Sequence, residues 1–91
     1  MTIDEIIEQG QIAMNNSIVY SKNVGTYYAG EQIEQWKRLS TRFIESCFGN
    51  DIDAQLYRKI ATGNCDQESD FNQLFSILLA LKAFPPNPQK I

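Results

Sequence analysis

The stretch WKRLSTRFIESCFGND, Trp36 to Asp51, has the clearest helical pattern of the chain and decides the fold class. Apolar residues recur along it every three or four positions, which is the spacing of one face of an α-helix. Gly49 follows the last apolar residue, where a glycine ends a helix at low cost because it tolerates a left-handed conformation. The pattern predicts a helix from about Gly30 to Phe48. Its main apolar stripe consists of Ile33, Trp36, Leu39, Phe43 and Cys47.

An earlier helix is predicted by the capping box Thr2-Ile3-Asp4-Glu5, in which the first and last side chains each accept a hydrogen bond from a backbone N–H. Apolar residues at helical spacing extend this helix from Ile3 to about Asn15. Gly10 weakens its middle by up to about 1 kcal/mol relative to alanine, unless another helix packs closely there.

A third, shorter helix begins after Asn50 or Asp51, because both side chains are good N-caps. It ends at about Thr62, just before Gly63. Its predicted apolar stripe is Ile52, Leu56 and Ile60.

A fourth helix is capped by Asp66 or Ser69 and runs to about Ala83. It is the most apolar of the four, so we expect it to be central. Its main stripe is Phe71, Leu74, Phe75, Leu78 and Leu81.

The segment NNSIVYSKNVGTYYA, Asn15 to Ala29, is ambiguous because strand-forming residues alternate with turn-forming ones. A short hairpin, an ordered loop and a longer first helix all fit. Two strands alone are marginally stable, so we expect an ordered Tyr-rich loop. The predicted fold is all-α, a bundle of about four helices in a single domain over residues 1–84. A Pro-rich exit linker or tail follows over residues 85–91.

Composition excludes several function classes. The net charge is −3 and the eight basic residues are scattered, so the electrostatic footprint of nucleic-acid binding is missing. The absence of histidine removes the commonest general base and metal ligand, and no phosphate-binding glycine motif occurs. Cys47 and Cys65 are expected to be reduced thiols, and two thiolates cannot complete a structural zinc site. We therefore expect no catalytic residues, no metal and no cofactor.

The residues expected to meet a partner are a subset of the aromatic and apolar side chains. Trp36 and Phe43 fit the helical stripes and are assigned to the core. Tyrosine offers apolar area with a polar tip, which suits interfaces. The fourth helix also has more apolar surface than one core requires, and a surplus of that kind marks an interaction site. The predicted contact residues are Tyr20, Lys22, Tyr27, Tyr28, Ile77 and Leu79.

The order of features resembles helical N-terminal modules of uncharacterised bacterial proteins, some of them linked to defence. The resemblance rests on Ile6-Ile7-Glu8-Gln9-Gly10, on the tryptophan helix that ends at Phe48-Gly49, and on Ile77 to Lys82. It implies a module that precedes another domain, and it assigns no catalytic residue.

The sequence thus favours a non-enzymatic helical protein–protein interaction module, which self-associates or docks a partner. Two alternatives stay open. One is a stand-alone acidic inhibitor, such as an immunity protein, antitoxin or phage antagonist, whose surface masks a basic target. The other is a binder of a small ligand or nucleotide held by the tyrosines near Lys22. No signal peptide or membrane span is recognisable, so a cytoplasmic location is the expectation.

Overall fold

The computed structural model describes residues 1–83, which form four helices and one β-hairpin. The all-α prediction holds for the bulk of this part, but the predicted Tyr-rich loop is wrong, because its residues pair as two antiparallel strands. Phe84 and the predicted linker over residues 85–91 lie outside the described residues. The elements are α1 (Ile3–Ser17), β1 (Ile18–Ser21), β2 (Gly25–Tyr28), α2 (Glu31–Phe48), α3 (Ile52–Ala61) and α4 (Glu68–Ala83).

The starts of α1 and α3 and the end of α2 lie where local capping chemistry predicts them, whereas α4 begins at Glu68 and so is capped by neither Asp66 nor Ser69. At the start of α1, the Thr2 N–H donates to the Glu5 carboxylate at 2.8 Å, and the Glu5 N–H donates to the Thr2 hydroxyl at 3.2 Å. The Asp51 carboxylate caps α3 by accepting from the Asp53 N–H at 2.9 Å. Gly49 has a φ of 50° after α2, a left-handed value that suits glycine. The end of α1 differs, since this helix continues to Ser17.

The close approach of α1 and α2 explains Gly10. The indole of Trp36 lies against this glycine, and its Nε1–H donates to the Ile6 carbonyl at 2.9 Å. The same indole stacks on Phe75 of α4, with ring centroids 5.5 Å apart. Trp36 therefore joins three helices, and the assignment of this residue to the core is confirmed.

A buried polar chain fixes α3 against α2. The Tyr57 hydroxyl donates to Ser40 Oγ at 2.7 Å, and the Ser40 hydroxyl donates to the Lys37 carbonyl at 3.1 Å. Ser40 and Tyr57 have no exposed surface. The bond sets the rotation of α3, because it requires Tyr57 to face α2.

Two residues of the predicted apolar stripe of α3 lie off its buried face, whereas the third, Ile60, packs partly buried against the core. The buried residues are Ala54, Tyr57 and Ala61, which are three or four positions apart on another side of the helix. Ile52 is 78% exposed and Leu56 is 46% exposed. The small side chains of Ala54 and Ala61 allow α3 to approach its neighbours closely. The buried Tyr57 hydroxyl also needs a hydrogen-bond partner, which it has only when this face is turned inward. These two effects outweigh the gain from burying Ile52 and Leu56.

The stripe of α2 is also narrower than predicted. Ile33, Trp36 and Ile44 are buried, and Phe43 packs partly buried against the core. Leu39 is 40% exposed, and Cys47 lies on the surface. The apolar pattern of this helix therefore extends beyond the area that its neighbours cover.

Candidate functional site

The hairpin follows α1 without an intervening loop. Ile18 is both the residue that ends the helix and the first residue of β1. β-Branched and aromatic residues favour the extended conformation from here to Tyr28. The turn between the strands is stabilised by the Asn23 N–H, which donates to Ser21 Oγ at 3.3 Å. Gly25 begins β2 with a φ of 90°, a value that side chains disfavour.

The base of the hairpin is anchored to the helices. The Ala29 N–H donates to the Ser17 carbonyl at 3.0 Å, and the Tyr28 N–H donates to the Asp66 carbonyl at 2.7 Å. The Tyr28 ring packs edge-on against Phe71 of α4, with centroids 5.2 Å apart. These contacts hold the strands at a fixed angle, while the residues toward the turn extend beyond the core.

The residues beyond this base form an exposed apolar hairpin surface, made of Ile18, Val19, Tyr20 and Val24. Tyr20 is 74% exposed, and Val24 and Ile18 are 59% and 57% exposed. Ile18 and Tyr20 share one face of β1 and form an apolar patch there, whereas Val19 lies on the other face and Val24 lies between the strands. Exposed patches of this kind are typical of interaction sites, whereas single exposed apolar residues are ordinary.

The same strand presents an open backbone edge. Residues 17 and 29 form a hydrogen-bonded pair, since the Ala29 N–H bonds the Ser17 carbonyl in register with the strand pairs. Hydrogen-bonded pairs alternate with non-bonded ones in an antiparallel ladder, so Val19 and Ser21 direct their backbone groups toward β2. The N–H and C=O of Tyr20 and the C=O of Ile18 therefore point away from β2, whereas the Ile18 N–H closes the last turn of α1. In residues 1–83 the sheet has two strands, so no third strand covers this edge of β1.

The four residues predicted around the tyrosines do not converge on one site. Tyr20 and Lys22 are exposed, as an interface requires. Tyr27 is paired with Val19 and therefore lies on the opposite face of the hairpin from Tyr20. Tyr28 is 7% exposed and belongs to the core. The side chains thus do not enclose a planar ligand from both sides, and Tyr28 has little surface left for a partner.

The two residues predicted on α4 also separate. Ile77 is 8% exposed and joins the core, whereas Leu79 is 54% exposed. Two positions apart on a helix, they point about 200° from each other. Leu79 is therefore the one large apolar side chain of α4 that is exposed. Ile77, which was predicted to contact a partner, is a core residue instead.

Two apolar surfaces were not predicted from the sequence. One is the outer face of α3, with Ile52 and Leu56; the pattern located these residues but assigned them to the core. The other is a groove of about 350 Å³ between α1 and α2. Apolar and polar side chains of both helices line it, and only the packing of α1 on α2 brings them together. The lining residues are Gln9, Ile12, Ala13, Gln32, Gln35, Trp36 and Leu39.

The buried ionisable groups are structural. Lys37 donates from Nζ to the Cys65 carbonyl at 2.8 Å and forms an ion pair with Glu34 at 3.0 Å. Burial raises the pKa of the Cys65 thiol to about 11, against the opposing effect of the Lys37 charge. Burial likewise raises the pKa of Tyr57, although its hydrogen bond to Ser40 acts in the opposite direction. A thiol with a raised pKa is a poor nucleophile at neutral pH.

In the part of the chain that the structure describes, every buried side-chain nitrogen or oxygen has a hydrogen-bond partner. The same residues contain no group of three acidic or cysteine side chains positioned to hold a metal ion. None of the helices within residues 1–83 is long and apolar enough to cross a membrane.

Comparison with known proteins gives no match: no protein-family model fits this sequence, no curated protein is significantly similar to it, and no solved structure is significantly similar to the fold.

Proposed function

We propose that this chain is a non-enzymatic helical protein–protein interaction module that docks a partner, or a second copy of itself, through the apolar hairpin surface. The observation that carries the proposal is the coincidence of two features on β1. Its side chains at Ile18, Val19 and Tyr20 are exposed, and within residues 1–83 no further strand pairs with its outer backbone edge at Tyr20.

The hairpin is a better docking element than the other exposed apolar surfaces. Tyr20 supplies a large ring with a polar tip, the kind of side chain enriched among residues that dominate binding energy. The strand edge adds backbone hydrogen bonds, which peptide-binding domains use for affinity. The large apolar side chains exposed on α3, Ile52 and Leu56, are both aliphatic, and the backbone groups of this helix are already used within it.

The non-enzymatic part of the proposal is supported by the state of the ionisable groups. Lys37 donates to the Cys65 carbonyl and Tyr57 donates to Ser40, while burial raises the pKa of both Tyr57 and Cys65 and so opposes their ionisation. Catalysis uses groups whose pKa lies near the working pH, and burial moves the pKa values of Tyr57 and Cys65 further from it.

A double substitution with a matched control tests the proposal. Tyr20→Ser with Val24→Ser removes the apolar hairpin surface, whereas Ile52→Ser with Leu56→Ser removes an apolar pair of comparable exposure on α3. Each tagged protein is expressed in its native cells, and the size of its assembly in the extract is measured by gel filtration. The hairpin variant should elute as a smaller species than the unsubstituted protein, and the α3 variant should not. Equal elution of all three proteins would contradict the proposal.

The module is also proposed to precede another domain, with residues 85–91 as the linker. The intact mass of the native protein tests this point. A mass well above that of the 91 residues supports a further domain, and a mass equal to theirs contradicts it.

A further inference from the structure

Another cavity, which no hairpin residue lines, lies between α2 and the C-terminal end of α3; we call it the arginine cleft. It has a volume of about 490 Å³, which is within the range of small-molecule binding sites. Three of the eight basic residues of the chain line its α2 wall: Lys37, Arg38 and Arg42. The cleft therefore combines a suitable size with a positively charged wall.

Glu34 also lines the cleft, but it does not neutralise the arginines. It lies four residues before Arg38, a spacing that favours an ion pair within a helix. Its carboxylate instead contacts Lys37 Nζ at 3.0 Å. Glu34 and Lys37 thus compensate each other, and the charges of Arg38 and Arg42 remain.

Arg42 is not neutralised by its neighbours on α2 either. The acid at helical spacing from it is Glu45, whose carboxylate contacts Arg58 of α3 at 2.9 Å. Within residues 1–83 none of the ion pairs includes Arg38 or Arg42. These two residues lie four positions apart, where like charges destabilise a helix. Two such guanidinium groups on one wall of a cleft are placed to bind an anion.

We propose that the arginine cleft binds the phosphate group of a small phosphorylated molecule through Arg38 and Arg42. This site goes beyond the proposed function and is separate from the apolar hairpin surface. Residues four apart on a helix are neighbours, so both guanidinium groups can reach one ligand group. A phosphate monoester has nearly two negative charges and three acceptor oxygens, which match two arginine forks. A single carboxylate has only one charge.

The threonines of the cleft define the rest of the ligand. The Thr41 hydroxyl donates to the Lys37 carbonyl and the Thr62 hydroxyl donates to the Arg58 carbonyl, each at 2.7 Å. Their oxygens are therefore left as acceptors. The C-terminal end of α3 also carries partial negative charge. Both features favour hydrogen-bond donors beside the phosphate, such as the hydroxyl groups of a sugar.

The ligand is a sugar phosphate rather than a nucleotide or a nucleic acid. The residues that line the cleft include no aromatic ring on which a base would stack. The chain as a whole has a net charge of −3, which repels a polyanion that extends beyond the cleft. A single phosphate group meets only the local positive charge.

Titration calorimetry with ribose 5-phosphate tests the inference. Arg38→Gln and Arg42→Gln should each weaken binding at least about tenfold, because each removes a charge-assisted contact. Arg58→Gln is the matched control, since Arg58 does not line the cleft, and it should change the affinity by less than about twofold. Circular dichroism checks that the variants are folded. Arg38→Gln and Arg42→Gln should not lower the melting temperature, because both arginines are exposed and repel each other.

Further probes separate the parts of the ligand. Ribose 5-phosphate should bind more tightly than inorganic phosphate, which lacks the sugar hydroxyls, and more tightly than succinate, a dicarboxylate. Ribose alone should not bind. The inference is overturned if ribose 5-phosphate does not bind at millimolar concentration, or if Arg58→Gln weakens binding as much as the other two variants. It is also overturned if succinate or inorganic phosphate binds as tightly as ribose 5-phosphate.

Discussion

Gly10→Ala should destabilise this protein, although the same change stabilises an ordinary helix. In an open helix, alanine is more favourable than glycine by about 1 kcal/mol. Here the added Cβ would lie 2.6 Å from Cε2 of Trp36 and 3.0 Å from Cζ of Phe75. Both rings are held between helices, so they cannot move away freely.

The magnitude follows from two costs. Overpacking of a core costs about 1–3 kcal/mol. Displacement of the indole also strains the buried bond from Trp36 Nε1 to the Ile6 carbonyl, and an unsatisfied buried donor costs about 1–3 kcal/mol. After the gain in helix propensity, the net loss should be about 1–5 kcal/mol.

Urea unfolding, followed by circular dichroism, measures this loss. Gln11→Ala is the matched control, because Gln11 is exposed on the same helix and its replacement should change stability by less than about 0.5 kcal/mol. In a Trp36→Phe background the clash is removed, so Gly10→Ala should cost far less there. A Gly10→Ala protein as stable as the unsubstituted one would refute the account of how α1 and α2 pack.

Three further predictions concern the cysteines and the buried lysine. Because burial raises the pKa of Cys65 to about 11 from an ordinary 9.0, the unfolded chain loses this proton first. The free energy of unfolding should therefore fall as the pH rises from about 9 to about 11. In urea titrations, Cys65→Ala should reduce that fall. An identical fall in the variant would contradict the assignment of the raised pKa to Cys65. Exposed Cys47 should react with a thiol reagent in the native protein, and buried Cys65 only on unfolding, as peptide mass mapping will show; equal labelling would count against the fold. Lys37→Met leaves the Cys65 carbonyl without its donor and should destabilise by about 1–3 kcal/mol in urea, whereas Lys59→Met on the surface should be nearly neutral; equal effects would contradict the role of Lys37.

The starts of α1 and α3 were predictable because capping is local. The Thr2 hydroxyl and Glu5 carboxylate lie three residues apart, so the sequence alone contains both partners of each hydrogen bond. Asp51 caps α3 in the same way. The rotation of α3 was not predictable, because it depends on the bond between Tyr57 and Ser40, seventeen residues apart. Hydrophobicity alone therefore assigned Ile52 and Leu56 to a buried face that they do not occupy.

In the candidate site, too, the local features could be predicted from the sequence, and the contacts between distant residues could not. The tyrosine-rich segment was recognisable as an interface candidate, and Tyr20 is indeed exposed. Its conformation was not predictable, since two isolated strands are marginal and these are held by distant groups. The Asp66 carbonyl and the Phe71 ring anchor Tyr28 and thereby turn one of the tyrosines into a core residue.

Site-specific photo-crosslinking tests the central claim, that the hairpin is the docking surface, most directly. Tyr20 is replaced by the photoreactive residue p-benzoylphenylalanine, and Ile52 is replaced in the same way as an equally exposed control on α3. After irradiation of intact cells, adducts are resolved by mass and identified by mass spectrometry. We expect one discrete adduct from position 20, with a second copy or another protein, and none from position 52. Absence of an adduct at position 20, or the same adducts at both positions, would contradict the claim.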